Sequence, residues 1–206
     1  RFGQAVLVEE GTTNLVSDPS FETGTGWTFG AGGSRINTDH WHGSYCAKST
    51  LNLGTDIQQA NIPVTGGATY TLSWYGKSDT PGSPSSNGFV FFRLYDSSSV
   101  EITTAINGWF YNSIYGYHRT LALQNYWLRD NAQIVMPSNA TKMTLYFSWR
   151  NGTNPGTYAL YDAIQLEQKP YATSFIDGTR SPETLTIPTE NVLNPAEGTV
   201  ECYAYI

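Results

Sequence analysis

The sequence predicts an all-β protein, an antiparallel β-sandwich of the jelly-roll type. Several segments alternate apolar and polar residues with the period of two that a β-strand requires, and none has the 3.6-residue period of a helix. Turn-forming Gly, Pro, Ser and Asn separate these segments at short intervals. Charged residues make up only 14% of the 206 residues, whereas a soluble helical protein is richer in Glu, Lys, Ala and Leu.

Three segments alternate most clearly: residues 70–77, 89–95 and 142–149. Their apolar faces predict the core of the sandwich, formed by Leu72, Trp74, Val90, Phe92, Leu94, Leu145, Phe147 and Trp149. Weaker strands are predicted at 4–10, 44–48, 100–104, 127–136 and 157–166. Residues 105–117 are rich in aromatic residues without a clean period, which indicates either a long loop or an irregular strand pair.

The residue pattern changes after Gln168, and together with the lead-in segment this change divides the chain into three parts. Residues 1–13 are predicted to be a lead-in strand, and residues 14–168 the jelly roll. Residues 169–206 begin as an extended strap and are predicted to form a linker and the start of a following β domain. The residue pattern of the lead-in segment is already under way at Arg1, so we interpret the sequence as a piece of a larger polypeptide.

Composition and motifs weigh against several classes of function. The net charge is −6 and no basic patch is present, so nucleic acid is not an expected partner. No apolar run approaches the roughly 18 residues of a membrane-spanning helix. The carboxylates are scattered, and G-x-S-x-G, H-E-x-x-H and phosphate-loop motifs are lacking, which predicts a protein that is not an enzyme. Cys46 and Cys202 are compatible with a disulfide or with buried free thiols.

A series of short motifs resembles carbohydrate-binding module families 4, 9 and 22, which share a galactose-binding-like jelly roll. The resemblance depends on their order and spacing and covers about residues 14–167. The motifs are Asn14–Val16, Ser20–Glu22, Gly26–Trp27, His42–Lys48, Tyr70–Tyr75, Trp127, Met136–Tyr146 and Tyr161–Leu166.

The flanks carry a second resemblance, to tail and structural proteins of bacteriophages and prophages. Phe2–Leu15 resembles the lead-in to such modules in those proteins, and Gln165–Ile176 resembles their exit. Pro195–Glu201 resembles the opening of a concanavalin-like lectin domain, which would then follow the jelly roll.

The resemblance to the module families implies a structural calcium ion held by Ser20, Glu22, Gly43 and Asp162. Asp162 shares its phase along the last strand with apolar residues, which predicts that its side chain points toward the core. A buried carboxylate needs a compensating cation or hydrogen-bond donors, and calcium prefers oxygen ligands. Hydrogen bonds from a backbone N–H or from Lys48 are the alternative to the metal.

The strand faces opposite the predicted core, together with the aromatic segment, provide the candidate ligand-binding residues. These are Tyr75, Phe91, Arg93, Tyr95, Trp109, Tyr111, Tyr146 and Arg150, with Phe89 on the same face. Flat rings stack on sugar C–H groups, and guanidinium groups bind hydroxyls or carboxylates. The alternative is that residues 105–117 or another subunit cover this face. The cluster Trp109–Tyr111, Tyr115, Tyr117 and His118 is a further candidate for binding, and the alternative is a loop core that fills the end of the sandwich. Trp41, between His40 and His42, is another candidate.

The sequence therefore predicts a non-catalytic module of a phage or prophage tail protein that binds carbohydrate on a cell surface. The expected partners are a cell-wall or capsule polysaccharide and neighbouring domains of the same polypeptide, and the expected location is the virion or the extracellular surface. Two alternatives remain. One is a structural spacer or trimerisation unit of a fibre, and the other is an accessory module of a secreted polysaccharide-degrading enzyme.

Overall fold

The computed structural model describes residues 8–50, 57–79, 86–113, 116–121, 123–151 and 157–184. Within these ranges the chain forms fourteen strands, turns and extended segments. The described residues include no helix that is long and apolar enough to cross a membrane. The prediction of an antiparallel all-β fold is confirmed, since every strand pairing is antiparallel.

Two sheets form the sandwich, and a third, two-stranded sheet joins the described ends. The two-stranded sheet pairs β1 (Thr12–Thr13) with β14 (Thr179–Arg180). The strands of the larger sheet are β2 (Thr28–Phe29), β5 (Ile57–Pro63), β7 (Ser86–Tyr95), β8 (Glu101–Ile102), β9 (Phe110–Asn112), β10 (Gly116–Leu121) and β12 (Lys142–Asn151). Their order in the sheet is β2-β5-β12-β7-β10-β9, and β8 also pairs with β7. The strands of the smaller sheet are β3 (Gly33–Ile36), β4 (Cys46–Ser49), β6 (Thr69–Ser78), β11 (Leu128–Val135) and β13 (Ala159–Glu167). Their order in the sheet is β11-β6-β13-β4-β3.

The inner faces of the two sheets meet in one apolar core. Strands β6, β7 and β12 each span 10 residues, and their alternation sends every second side chain inward. All eight predicted core residues, Leu72, Trp74, Val90, Phe92, Leu94, Leu145, Phe147 and Trp149, are at most 1% exposed. Because these side chains must be buried, β7 pairs with β12 in the register that places Phe92 opposite Leu145 and Phe91 opposite Tyr146.

Strand β13 departs from simple alternation, which corrects the predicted direction of Asp162. The register with β6 shifts between Asp162 and Gln165, and Ala163 has a positive φ of 48°. This β-bulge adds one residue and reverses the side-chain parity along the strand. As a result Tyr161 and Ile164 both point into the core, while Asp162 lies on the outer side of the smaller sheet. Asp162 is nevertheless fully buried, because other parts of the chain cover that side.

The aromatic segment at 105–117 contains a strand pair. Strands β9 and β10 form a hairpin in which Phe110 faces His118 and Tyr111 faces Tyr117. Gly116 begins β10 with φ +77°, and a Cβ there would lie 2.5 Å from the carbonyl oxygen of Phe92. The hairpin therefore approaches β7 closely only because this position is glycine.

The described segment after β13 returns across the smaller sheet as a strap and ends beside the entry of the chain. Glu167 is fully buried and accepts hydrogen bonds from the Thr173 backbone N–H at 2.7 Å and the Thr12 hydroxyl at 2.9 Å. The Glu183 N–H donates to the Glu9 carbonyl at 3.0 Å. Residues 169–184 are thus hydrogen-bonded to the sandwich. The predicted lectin-like opening at 195–201 and Cys202 lie outside the described residues.

Asn14 connects the entry segment, β13 and the strap through one buried side chain. Its amide nitrogen donates to the carbonyls of Ile164 at 2.9 Å and Ile176 at 3.1 Å. Its amide oxygen accepts from the N–H groups of Val16 at 3.1 Å and Leu166 at 3.0 Å. Only a side-chain amide supplies two donors and a divalent acceptor at such a point.

We expect Asn14→Ala to lower the free energy of unfolding by about 2 to 4 kcal/mol, because it leaves buried backbone groups without partners. The measurement is equilibrium denaturation in urea. The matched control is Asn131→Ala, since Asn131 is exposed on β11 and its side chain has no described partner. Equal effects of the two substitutions would contradict the role assigned to Asn14.

Candidate functional site

The outer side of the larger sheet carries a row of aromatic rings, which we call the aromatic face: Phe89, Phe91, Phe110, His118 and Tyr146. At its centre Phe91 and Tyr146 are direct cross-strand neighbours on β7 and β12. Their rings stack with centroids 4.5 Å apart and an angle of 3° between the planes. Both residues are almost buried, at 6% and 8% exposed, so they form a rigid base.

The row continues toward the edge of the sheet, where it becomes exposed. The His118 ring lies 6.3 Å from the Phe89 centroid and 6.1 Å from the Phe110 centroid, tilted by 34° and 39°. Phe110 on the edge strand β9 is 74% exposed, which is the highest value among the described large apolar residues. The face thus offers an exposed ring to a partner at the edge of the sheet, next to the packed Phe91–Tyr146 pair.

Polar groups border the aromatic face. Arg93 lies outward on β7 and forms a 2.8 Å ion pair with Glu101 on β8. Gln58 of β5 is the cross-strand neighbour of Tyr146 and is partly buried. Burial raises the pKa of Tyr146, and the nearby Tyr95 raises it further, so its hydroxyl stays protonated and available as a donor. These groups can hydrogen-bond a polar ligand that stacks on the rings.

The predicted binding residues do not share one surface. Phe91, Arg93, Tyr95 and Tyr146 share the outer side of the larger sheet, and the backbone of Arg150 belongs to β12 although its side chain lies outside the described part. Tyr75 is on the outer side of the smaller sheet, so the single predicted face is in fact two.

The aromatic segment is divided in the same way between inner and outer sides. Trp109 is 7% exposed and packs edge-on against Phe92 at 4.6 Å, so it fills the end of the sandwich. Tyr111 lies on the inner side of β9 against Tyr117. Phe110 and His118 lie outward instead. The sequence showed them only as members of an aromatic cluster, because their place on the face depends on strand register.

A second candidate site lies on the other sheet, around the fully buried Asp162. One carboxylate oxygen accepts the backbone N–H groups of Trp41 at 2.7 Å and His42 at 2.9 Å, and the other accepts that of Ala163 at 2.6 Å. Burial raises the pKa of Asp162 to about 7 although the three N–H donors lower it, and the charge of Glu22 adds to the rise. The backbone hydrogen bonds that were predicted as the alternative to a metal are therefore present.

Glu22 completes this pair of carboxylates. One of its oxygens accepts the N–H groups of Ser44 at 2.8 Å and Tyr45 at 3.0 Å. Gly43 has φ +65°, and a Cβ there would lie 2.3 Å from that same oxygen. The turn at 42–45 therefore closes around the Glu22 carboxylate only because Gly43 lacks a side chain.

The residues implied as calcium ligands are compatible with a cation. Ser20 is buried beside Pro19, whose carbonyl accepts the Ile164 N–H at 2.9 Å, so it lies near the bulge that carries Asp162. The second oxygen of Glu22 has no hydrogen-bond partner among the described residues, which leaves acceptor capacity for a hard ion. The described part contains no group of three His, Cys, Asp or Glu residues that could hold a metal, so hydroxyl or carbonyl oxygens would have to complete the shell.

Comparison with solved structures identifies the type of fold. The chain is similar to the CBM22-1 xylan-binding domain of Paenibacillus barcinonensis Xyn10C, with a TM-score of 0.52 and 14% identity over 82% of this chain and 100% of that domain. It is also similar to the CBM22-1–CBM22-2 tandem of Xyn10C, with a TM-score of 0.52 and 17% identity over 82% of this chain and 49% of the tandem.

A third similar structure contains the CBM22-1 and GH10 modules of Clostridium thermocellum xylanase Xyn10B in complex with xylohexaose. Its TM-score is 0.50 at 14% identity, over 77% of this chain and 28% of that one. No protein-family model and no curated protein sequence matches the chain. At these identities the likeness establishes the fold, and the predicted jelly roll of the carbohydrate-binding-module type is confirmed.

We expect Gly43→Ala to destabilise the protein more than Gly67→Ala. Both glycines have positive φ, +65° and +77°, but a Cβ at Gly67 has no atom within 4 Å. Gly67→Ala should cost about 1 to 2 kcal/mol for its backbone conformation alone, and Gly43→Ala about 1 to 3 kcal/mol more for the clash with Glu22. Urea denaturation measures both, and equal costs would show that the turn does not depend on this contact.

Proposed function

We propose that this protein is a non-catalytic carbohydrate-binding module that holds its ligand on the aromatic face. The observation that carries the proposal is the row of rings on the outer side of the larger sheet, which ends in the 74% exposed Phe110. An exposed ring with a rigid neighbour stacks on the apolar C–H face of a sugar, and bordering polar groups fix the orientation of the hydroxyls. Arg93 and Gln58 occupy those bordering positions.

Three described carboxylates that are buried or partly buried support a binding role over a catalytic one. Asp162, Glu167 and Glu22 each accept backbone N–H groups, so their charges hold the chain in place. A glycosidase needs a pair of carboxylates that face a scissile bond from a cleft. On the aromatic face the described carboxylate is Glu101, which is paired with Arg93.

The structural neighbours suggest the class of ligand. One is a xylan-binding domain and another is a module of a xylanase solved with xylohexaose, both with the same fold. We infer a polysaccharide ligand here and a module that works as one part of a larger polypeptide. The resemblance of the flanks at 2–15 and 165–176 to phage tail proteins points to a virion protein whose ligand is a bacterial surface saccharide.

We also infer that the Glu22 and Asp162 carboxylates hold a structural calcium ion, with Ser20 and Gly43 adjoining it. The ion would neutralise two neighbouring negative charges, one of which is fully buried. Its place between the 20–22 segment, the 41–45 turn and β13 would tie three distant parts of the chain together. Its binding energy would therefore add to folding stability.

The binding proposal predicts that Phe110→Ala combined with His118→Ala weakens saccharide affinity by about tenfold or more, since about 1.4 kcal/mol of ring contact corresponds to a factor of ten. A glycan array that includes bacterial wall and capsule polysaccharides selects the ligand, and calorimetry measures its affinity. The control is Val135→Ala, which removes a 52% exposed apolar residue on β11 of the smaller sheet.

Two results would contradict this proposal. The first is failure of the native protein to bind any glycan, with or without calcium. The second is a stable trimer by light scattering that dissociates in the Phe110→Ala variant, which would support the spacer alternative because the aromatic face would then be a subunit contact.

The calcium proposal predicts that free calcium at 100 times its dissociation constant raises the free energy of unfolding by about 2.7 kcal/mol over the protein in EDTA. Urea denaturation under the two conditions measures the gain. The variants Glu22→Gln and Asp162→Asn should each lose it, whereas Asp177→Asn, which changes an exposed carboxylate on the strap, should keep it. A native protein with equal stability in calcium and EDTA would exclude a structural ion.

A further inference from the structure

The outer side of the smaller sheet carries a second exposed aromatic ring that the proposed function does not use. The Trp41 indole lies flat on the Tyr75 ring, with centroids 4.3 Å apart and an angle of 15° between the planes. Trp41 is 49% exposed, which matches a ring with one face covered and the other open to solvent. We call this pair the Trp41 platform.

The platform is held rigidly from behind. The N–H groups of Trp41 and His42 both donate to Asp162, and those of Ser44 and Tyr45 donate to Glu22. The backbone from Trp41 to Tyr45 is thus fixed by two carboxylates, and Tyr75 belongs to β6, where it pairs with Asp162 of β13. A ring that is ordered in advance loses little conformational entropy when a ligand stacks on it.

Hydrogen-bonding groups lie beside the platform. The Asp39 carboxylate forms a 2.7 Å ion pair with Lys77 and accepts the Trp127 indole N–H at 3.0 Å. The side chains of Asp39 and Lys77 are 35% and 25% exposed, so both reach solvent. The Arg129 guanidinium lies 5.9 Å from the centroid of the Tyr75 ring.

These features suit a sugar better than a protein partner. A stable protein interface buries on the order of 800 Å² on each side around an apolar centre. The Trp41 platform offers a single open ring bordered by charged groups, which is the arrangement that a sugar ring with an apolar face and peripheral hydroxyls requires.

We propose that the Trp41 platform is a second saccharide-binding site, on the opposite sheet from the aromatic face. Trp41 supplies the stacking surface, Tyr75 supports it, and Asp39 with Lys77 binds hydroxyl groups. The site shares the ligand class of the proposed function and uses none of its residues. The two sites point away from each other, so one module can engage two saccharide chains.

Fluorine NMR of protein labelled with 5-fluorotryptophan tests this proposal directly. The chain has 6 Trp residues, and the resonance lost in the Trp41→Phe variant assigns Trp41. The label is introduced into the Phe110→Ala, His118→Ala background. The probes are xylohexaose, β-1,4-galactotriose and each oligosaccharide that the glycan array selects. We expect a saturable shift of the Trp41 resonance with at least one probe.

Affinity measurements complete the test with a matched control. In the same background, Trp41→Ala should weaken binding by about tenfold. It keeps the backbone N–H bonded to Asp162, so the fold should persist. Tyr171→Ala should leave the affinity unchanged, because Tyr171 is 48% exposed and its described partners are Glu10 and Lys169 rather than a supporting ring.

The outcomes separate this site from the aromatic face. If a probe binds the native protein and the Trp41 resonance never moves, the second site is excluded while the proposed function stands. If the Trp41 resonance moves, but the variant that lacks Phe110 and His118 binds the probe as tightly as the native protein does, the Trp41 platform is supported. The aromatic face is then excluded as a binding site. If no probe binds the native protein, both proposals are wrong.

Discussion

The β-bulge in β13 is the constraint on which the rest of this structure depends. All nine residues of β13 are buried, so both of its faces must be satisfied by the chain itself. The extra residue Ala163 lets Tyr161 and Ile164 both face the core, and it places Asp162 and Gln165 on the outer side. Without the bulge, either polar side chains would enter the apolar core or apolar ones would leave it.

The polar residues that the bulge turns outward then organise two separate segments. Asp162 accepts the backbone of the 41–42 turn, and Glu167 accepts that of the strap at Thr173. These segments meet where the His42 ring packs edge-on against Phe175 at 5.0 Å. Much of the smaller sheet is therefore covered by its own chain, and Trp41 is one of the large side chains that stay exposed beside it. The larger sheet presents its aromatic face instead.

The sequence was sufficient to predict the fold and the core, because the alternation within residues 70–77, 89–95 and 142–149 leaves only one arrangement of buried side chains. It could not show the division of the aromatic residues between the sheets. Tyr75 and Phe91 each lie on the side of their own strand that faces away from the core. The two strands belong to different sheets, however, which alternation does not reveal. The predicted direction of Asp162 was wrong because a bulge reverses parity without a clear sign in the composition. For residues 105–117 the sequence left a long loop and an irregular strand pair open, and the β9–β10 pairing confirms the strand pair.

The pairing of β1 with β14 has a mechanical consequence. Glu9 and Glu183 are hydrogen-bonded neighbours, so the chain enters and leaves the module at one point. A pulling force applied across these two positions would load the short β1–β14 pair end-on and separate its bonds one after another. The sandwich beyond it would stay unloaded until Asn14 and Thr12 gave way. The sandwich would lie beside the line of tension, and the aromatic face and the Trp41 platform would keep their shape while the chain on either side is stretched.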